Sequence, residues 1–333
     1  VLLPLVLLCL GACHSPGLAP AGPDVLPYVT AALETEPVGR TGDAADDPVI
    51  LATSDDTVWV VGTDKQFGLL VYDLTGDELH ALETGRLNNV DAVALDDGAF
   101  LLAASNRTTP AIDLYLARPD LNQIELVNRI PLDLVDPYGL CMAMIDSRAT
   151  VFVGDKTGIV QRWAIDDDHA GTIQETYNFN SQTEGCVVDT SAGTLYVGEE
   201  VKGIWAVDLK SDTQQLLAPV DGVSLVADVE GLDIYDSGTD RLLIASSQGD
   251  SSYGVYDLPT GDVLLKIRID RNRLLGIDGV SDTDGIEVSS RPLPGYPNGV
   301  LVVQDGYTVA FLRNQNFKLI DWLEIESLLE RPR

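Results

Sequence analysis

Val58-Trp59-Val60-Val61-Gly62, followed by Gly68-Leu69-Leu70-Val71-Tyr72-Asp73, is a pair of short β-branched and aromatic runs joined by a polar turn. Such a pair reads as two antiparallel strands. It returns as Val151–Gly154 with Gly158–Trp163, Thr194–Gly198 with Gly203–Asp208, and Leu242–Ala245 with Tyr253–Asp257. Phe100–Ala104 and Gly299–Val303 supply two further copies, the last with a weaker partner around Phe317–Trp322. Upstream of each copy lies another short strand with a matched start: Asp46-Asp47-Pro48, Asn88-Asn89-Val90, Pro137-Tyr138-Gly139, Thr183-Glu184-Gly185, Val229-Glu230-Gly231 and Thr283-Asp284-Gly285. Taking the residue before each Pro, Val or Gly gives positions 47, 89, 138, 184, 230 and 284, spaced by 42, 49, 46, 46 and 54. A helix-free repeat of ~40–50 residues is one blade of a β-propeller. The reading is an all-β, six-bladed β-propeller over residues 41–325, with 326–333 as a C-terminal tail. A β-sandwich leaves six matched strand starts without a cause.

The propeller geometry gathers polar residues. The innermost strands line a central channel, so Asp47, Asn89, Tyr138, Glu184, Glu230 and Asp284 converge at one mouth of it. Asp43, Asp46, Asp228, Asp278 and Asp282 lie beside them in sequence. The next strand of each blade runs antiparallel and ends at the same face, which adds Thr63-Asp64-Lys65, Asn106-Arg107, Asp155-Lys156, Glu199-Glu200, Ser246-Ser247-Gln248 and Gln304-Asp305. So many carboxylates cannot all stay ionised at close range without cations, and an oxygen-rich ring of this kind suits several Ca²⁺ ions. Lys65, Arg107 and Lys156 recur at one blade position in three successive blades, where they would face a bound phosphate. The run Asp278–Gly285 imitates an EF-hand loop but has Val280 at a ligand position and no closing Glu, so it reads as an Asp-rich turn aimed at the channel.

Composition narrows the chemistry. The 333 residues carry 21 Lys and Arg against 52 Asp and Glu, a formal charge of −31. That charge repels nucleic acid, and it repels a polyphosphate unless cations intervene. The three histidines, His14, His80 and His169, have no metal-ligand spacing. From Cys141 to Arg148 the spacing is one residue too long for a cysteine-phosphatase loop, with no Gly between. Cys141 and Cys186 suit either a disulfide, in an oxidising compartment, or two buried thiols.

At the amino terminus, Val1–Leu10 is an apolar run of signal-peptide length, too short to span a bilayer. It leads into Leu10-Gly11-Ala12-Cys13, the pattern of a bacterial lipoprotein signal (residues 1–12) with Cys13 as the lipidated residue. The Pro-, Gly- and Ala-rich residues 13–40 read as a flexible tether. The expected location is the bacterial cell envelope, lipid-anchored at the outer membrane or periplasmic face, or the secreted fraction. The lipid is the only expected membrane contact, and the expected assembly is a monomer.

From about residue 41 to 323 the chain resembles the β-propeller phytases, the Ca²⁺-dependent alkaline phytases of bacteria. The resemblance is carried by Asp43–Pro48, Gly85–Asp91, Ala104–Arg107, Asn180–Cys186, Ala227–Leu232, Ala245–Gly249, Asp278–Ile286 and Gln304–Gly306. It implies hydrolysis of myo-inositol hexakisphosphate and lower inositol phosphates, of the 3-phytase type, with several calcium ions and metal-activated water as nucleophile. It further implies that Asp46, Asp47, Glu184, Glu200, Glu230, Asp278 and Asp284, with Asp228 beside them, hold metal, and that Lys65, Arg107, Tyr138 and Lys156 grip phosphate. Glu184, Asp284, Lys65, Arg107 and Lys156 are then the residues closest to the reaction. One departure stands out: the family often has two adjacent lysines where this chain has Lys65-Gln66. The rival readings are another Ca²⁺-dependent propeller hydrolase, lactonase-like, and a non-catalytic envelope scaffold.

Overall fold

The computed structural model describes residues 26–54, 56–258, 260–307 and 314–329. Cys13 and the apolar leader lie outside them. Six antiparallel sheets form in chain order, each wound from the inside outward. Their inner strands are Ala45–Ala52, Leu87–Ala94, Pro137–Ile145, Thr183–Asp189, Val229–Asp236 and Ile286–Ser289. Each inner strand touches the inner strands of both neighbouring blades, and blade six touches blade one, so the ring is closed. The architecture is the six-bladed propeller that the repeat predicts.

Strand composition follows position in the blade. The second strands, such as Val58–Asp64 and Phe100–Asn106, are buried along their whole length because both faces meet other blades. The outermost strand of blade one, Glu78–Glu83, is mostly exposed, and half of its residues are polar. Six hydrophobic clusters hold the molecule together, one at each interface between successive blades. Blades six and one, for example, share Val60, Leu70, Tyr72, Val302 and Phe317. Burial of this apolar surface is the main stabilising term. Cys141 and Cys186 form a disulfide between the inner strands of blades three and four, with their Cα atoms 5.5 Å apart.

Two findings correct the boundaries read from sequence. Part of the stretch expected to be a tether is folded. Tyr28–Thr30 adds a fifth, parallel strand to blade five, and Leu33–Glu34 is the outermost strand of blade six. Blade six is therefore built from both ends of the chain, with Val29 and Ala31 buried in the adjoining core. At the other end, helix Trp322–Leu328 crosses the expected limit at residue 325. Asp321 caps it by accepting from the Leu323 N–H, and Trp322 and Ile325 are buried. Pro, Gly and Ala content hides these segments, because their order comes from neighbours remote in sequence.

A β-bulge recurs at one place in five inner strands, between Ala45/Pro48, Leu87/Val90, Pro137/Leu140, Thr183/Cys186 and Val229/Leu232. Each bulge inserts one residue and turns the preceding side chain toward the channel mouth. The register makes Asp46, Asn88, Tyr138, Glu184 and Glu230 equivalent. The starts in blades one and two are thus Asp46 and Asn88, one residue earlier than Asp47 and Asn89. Asp47 and Asn89 take the position held by Gly139, Gly185 and Gly231 in the next three blades.

Those glycines have a steric reason. A Cβ on Gly139 would lie 1.9 Å from the Glu184 carbonyl oxygen, and one on Gly185 would lie 1.9 Å from that of Glu230. Inner strands cross there at near backbone contact.

Candidate active site

At the channel mouth lies a cavity of about 750 Å³, lined among others by Asp43, Lys65, Tyr138, Glu200, Asp228, Glu230, Gln248, Asp282 and Asp284. The bulged inner strands supply Tyr138 and Glu230, with Asp46, Asn88 and Glu184 at the equivalent positions. The residues that immediately follow the second strands supply Lys65, Glu200 and Gln248. The last residues of those second strands do other work. Asp64 accepts from the Gln66 N–H, Asp155 from the Thr157 N–H, and Asn106 from the Thr108 and Thr109 N–H groups. Glu199 accepts from Asn180 N, Ser181 Oγ and Trp205 Nε1. These side chains fix the turns that carry Lys65, Lys156, Arg107 and Glu200, of which Lys65 and Glu200 line the cavity.

Carboxylates crowd the site. One carboxylate oxygen from each of Glu184, Glu200 and Glu230 lies within 4.8 Å of the others. Asp46 is 1% exposed. Among the described residues, Asp46 Oδ2, Glu184 Oε2 and Glu200 Oε1 are buried with no hydrogen-bond partner. Burial, together with the charges of Glu184 and Asp228, pushes Glu200 up to about 8. Burial likewise raises Asp284 to about 6 against the opposing pull of Lys65. Asp46 and Glu230 are raised in the same direction by burial and by neighbouring carboxylates, with Lys65 opposing at Asp46. Orphaned, closely spaced hard-oxygen donors with unfavourable ionisation are the donor set a hard cation satisfies. The residues present therefore fit a metal.

Three cations flank this set. The Lys65 ammonium contacts Asp43 Oδ1 at 2.6 Å, Asp284 Oδ2 at 2.9 Å and Asp46 Oδ1 at 3.1 Å. Burial opposes its charge, but the three carboxylates outweigh that and hold it protonated. Arg107 is clamped by Asp136, Nε to Oδ1 at 3.0 Å and Nη2 to Oδ2 at 3.1 Å. Its Nη1 also donates to Asn88 Oδ1, and Asn88 Nδ2 donates to Glu184 Oε1 at 2.9 Å. Arg107 and Lys156 both lie against the Tyr138 ring, at 5.2 and 4.2 Å from its centroid, within cation–π range.

The structure thus brings together Asp46, Glu184, Glu200, Asp228, Glu230, Asp284, Lys65 and Tyr138, with Arg107 and Lys156 against the Tyr138 ring. It sets two expected metal ligands apart. Asp47 turns the other way, where Oδ2 accepts from the Val90 N–H at 3.1 Å, and lines a small void deeper in the channel with Asp91, Asp233 and Glu287. Asp278 is engaged by the buried Lys318. Gln248, expected in the second ring, donates from Nε2 to Asp284 Oδ1 at 2.5 Å, whereas Asp136, which clamps Arg107, was not foreseen. Gln66 does not line the cavity. Its amide donates to the carbonyls of Thr41 and Asp43, pinning the loop that carries Asp43.

A sequence profile of the family described as Phytase matches residues 8–332. This chain belongs to the phytase family. It is also 34% identical over 340 residues to the 3-phytase of Bacillus subtilis (strain 168), covering 91% of this chain and 86% of that protein. Membership makes the chain a phosphoric monoester hydrolase and sets aside the lactonase-like and scaffold readings. A small-molecule phosphate ester is the substrate class of this phytase-family propeller.

Proposed function

We propose that the chain is a calcium-dependent phytase that removes phosphate from myo-inositol hexakisphosphate, of the 3-phytase type. The carrying observation is the set of partnerless carboxylate oxygens on Asp46, Glu184 and Glu200, next to a cavity lined by Lys65, Tyr138, Glu200 and Glu230, with Arg107 and Lys156 against the Tyr138 ring. Glu184, Glu200 and Glu230, with Asp46, Asp228 and Asp284, would hold the ions. Calcium held by these carboxylates would supply positive charge to a phosphate ester and lower the pKa of water.

The protein's own residues do the rest. Arg107, fixed by Asp136, presents its guanidinium in one orientation to a phosphoryl oxygen. Lys156 and Tyr138 form the adjoining wall, and Lys65 places an ammonium at the floor, so charge that develops on phosphoryl oxygens meets preorganised donors. A substrate with several phosphates spans floor and rim together, whereas a monoester reaches only one of them. Calcium also reconciles a chain of charge −31 with a polyanionic substrate.

The test is phosphate release from phytate by the purified protein, with added Ca²⁺ and with excess chelator followed by dialysis. Release that needs calcium and returns on its re-addition is expected. Undiminished release in chelator would overturn the calcium reading.

The apolar run at residues 1–10 and Cys13 support tethering to the cell envelope by lipid. Mass spectrometry of the mature amino-terminal peptide, for a diacylglyceryl group on Cys13, tests that assignment.

A further inference from the structure

Asp278 resembles a calcium ligand by sequence, yet its environment already contains a cation. Lys318, in strand Asn316–Asp321 of blade six, is 0% exposed, as is Asp305 beside it. The Lys318 ammonium meets Asp278 Oδ1 at 2.6 Å, Asp305 Oδ2 at 2.7 Å, the Gly279 carbonyl at 2.9 Å and the Asp278 carbonyl at 3.3 Å. Two carboxylates and two carbonyls are the donor types of a calcium shell, but these distances suit N–H···O contacts to an ammonium. A buried lysine charge persists only when paired in this way.

The same cage holds the loop that feeds the active site. Asp305 Oδ1, on the other side of that carboxylate, accepts from the Ser281 N–H at 3.0 Å, and the Gly306 N–H donates to the Ser281 carbonyl at 2.8 Å. One residue earlier, Gln304 Oε1 accepts from the Asp284 N–H at 2.9 Å. The segment from Asp278 to Asp284 is thus fastened at its start by Lys318, at its middle by Asp305 and at its end by Gln304. Asp282 and Asp284 project from it into the cavity.

We propose that Lys318 is a positioning residue of the catalytic mouth, its ammonium acting as a built-in cation that sets the 278–284 loop without metal. Asp278 serves the lysine rather than a calcium ion. The inference rests on the calcium reading above, since its readout is calcium binding at the mouth.

Calcium isotherms by titration calorimetry, on the wild-type chain and three variants of it, test this. Lys318→Met keeps the apolar stem and removes the charge. Val302→Ala, in the same blade, is a control for general loss of stability. Asp278→Asn tests whether that carboxylate is itself a ligand. Lys318→Met is expected to raise the calcium dissociation constant about tenfold or more, in the range seen when outer-shell partners of metal ligands are lost. Val302→Ala should stay within about twofold even where its melting point falls as far. Asp278→Asn should bind as many ions per chain as wild type, but more weakly. A Lys318→Met isotherm equal to wild type at a lowered melting point would reduce Lys318 to a purely structural role. Loss of one ion per chain in Asp278→Asn would overturn the cage assignment, and that variant decides the matter even where Lys318→Met does not fold. Absence of calcium binding in the wild type would instead defeat the calcium reading, a separate outcome.

Discussion

Lys65 shows how little a side chain's identity says without its neighbours. Its ammonium is shared by Asp43, Asp46 and Asp284 as internal counter-charge, and under the proposed function it also donates a hydrogen bond to phosphate. Lys65→Ala should raise KM and lower kcat/KM by roughly ten- to a hundredfold, the loss of a charged hydrogen bond of about 1.5–3 kcal/mol. Steady-state kinetics on phytate measure both. Gln66→Lys, a change toward the paired lysines, should leave phytate kinetics nearly unchanged, because position 66 faces the Thr41–Asp43 loop and not the cavity. A marked fall in KM for that variant would show that the side chain reaches substrate. Glu184→Gln and Asp284→Asn keep shape and remove charge from the ring. Each should cut turnover by about tenfold or more, while Asp240→Asn, in the turn after Asp236, should not.

Protonation at the ring adds a pH dependence whose sign can be worked out. Asp284 moves from an ordinary 3.8 to about 6, and Glu200 from 4.5 to about 8. Between those limits the folded, metal-free protein holds protons that the unfolded chain has released. The stability these groups contribute is therefore full below the ordinary values and is lost as pH rises through the raised ones. Calcium needs the same carboxylates ionised. The calcium-induced rise in Tm should therefore grow as pH increases from about 5 to about 8. Thermal melts with calcium and with chelator across that range give the answer, and a rise that shrinks with pH would contradict the assignment.

At the scale of the element, the inner-strand bulge and its glycine determine the site's geometry. The bulge turns Glu184 and Glu230 inward, and the glycine after each lets the next blade's backbone approach. Gly185→Ala places a Cβ 1.9 Å from the Glu230 carbonyl oxygen. Overpacking of this kind costs about 1–3 kcal/mol, and it displaces a ring carboxylate as well. The variant should melt several degrees lower and bind calcium more weakly. A normal calcium isotherm in the folded variant would separate glycine packing from ring geometry. The turn-fixing residues Asp64, Asn106, Asp155 and Glu199 act at the same scale, since each fixes the turn that carries the residue after it.

For the whole molecule, closure of the ring is the decisive event. Blade six takes Leu33–Glu34 from the amino-terminal side, while Thr30 N–H donates to Glu324 Oε2 at 2.7 Å, tying the Tyr28–Thr30 strand of blade five to the C-terminal helix. A chain that begins at residue 36 loses both amino-terminal strands and uncovers the core around Val29 and Ala31. Its denaturant midpoint should fall clearly below that of a chain beginning at residue 26. Equal midpoints would show that the ring closes without those strands.

The sequence alone determined the six-fold repeat, and with it the propeller and the convergence of Tyr138, Glu184, Glu230 and Asp284 at one mouth. Strand periodicity and turn chemistry are local properties, and a repeated local pattern has few ways to bury its apolar faces. Tertiary structure alone decided the rest. Asp46 rather than Asp47 faces the cavity because of a bulge set by the partner strand. Cys141 and Cys186 pair because two inner strands lie side by side. Tyr28–Glu34 is ordered by sheets more than 230 positions away in the chain. Asp278 is claimed by an ammonium 40 residues distant. Each of these depends on which charge or backbone edge arrives from elsewhere in the fold, and no window of sequence contains that information.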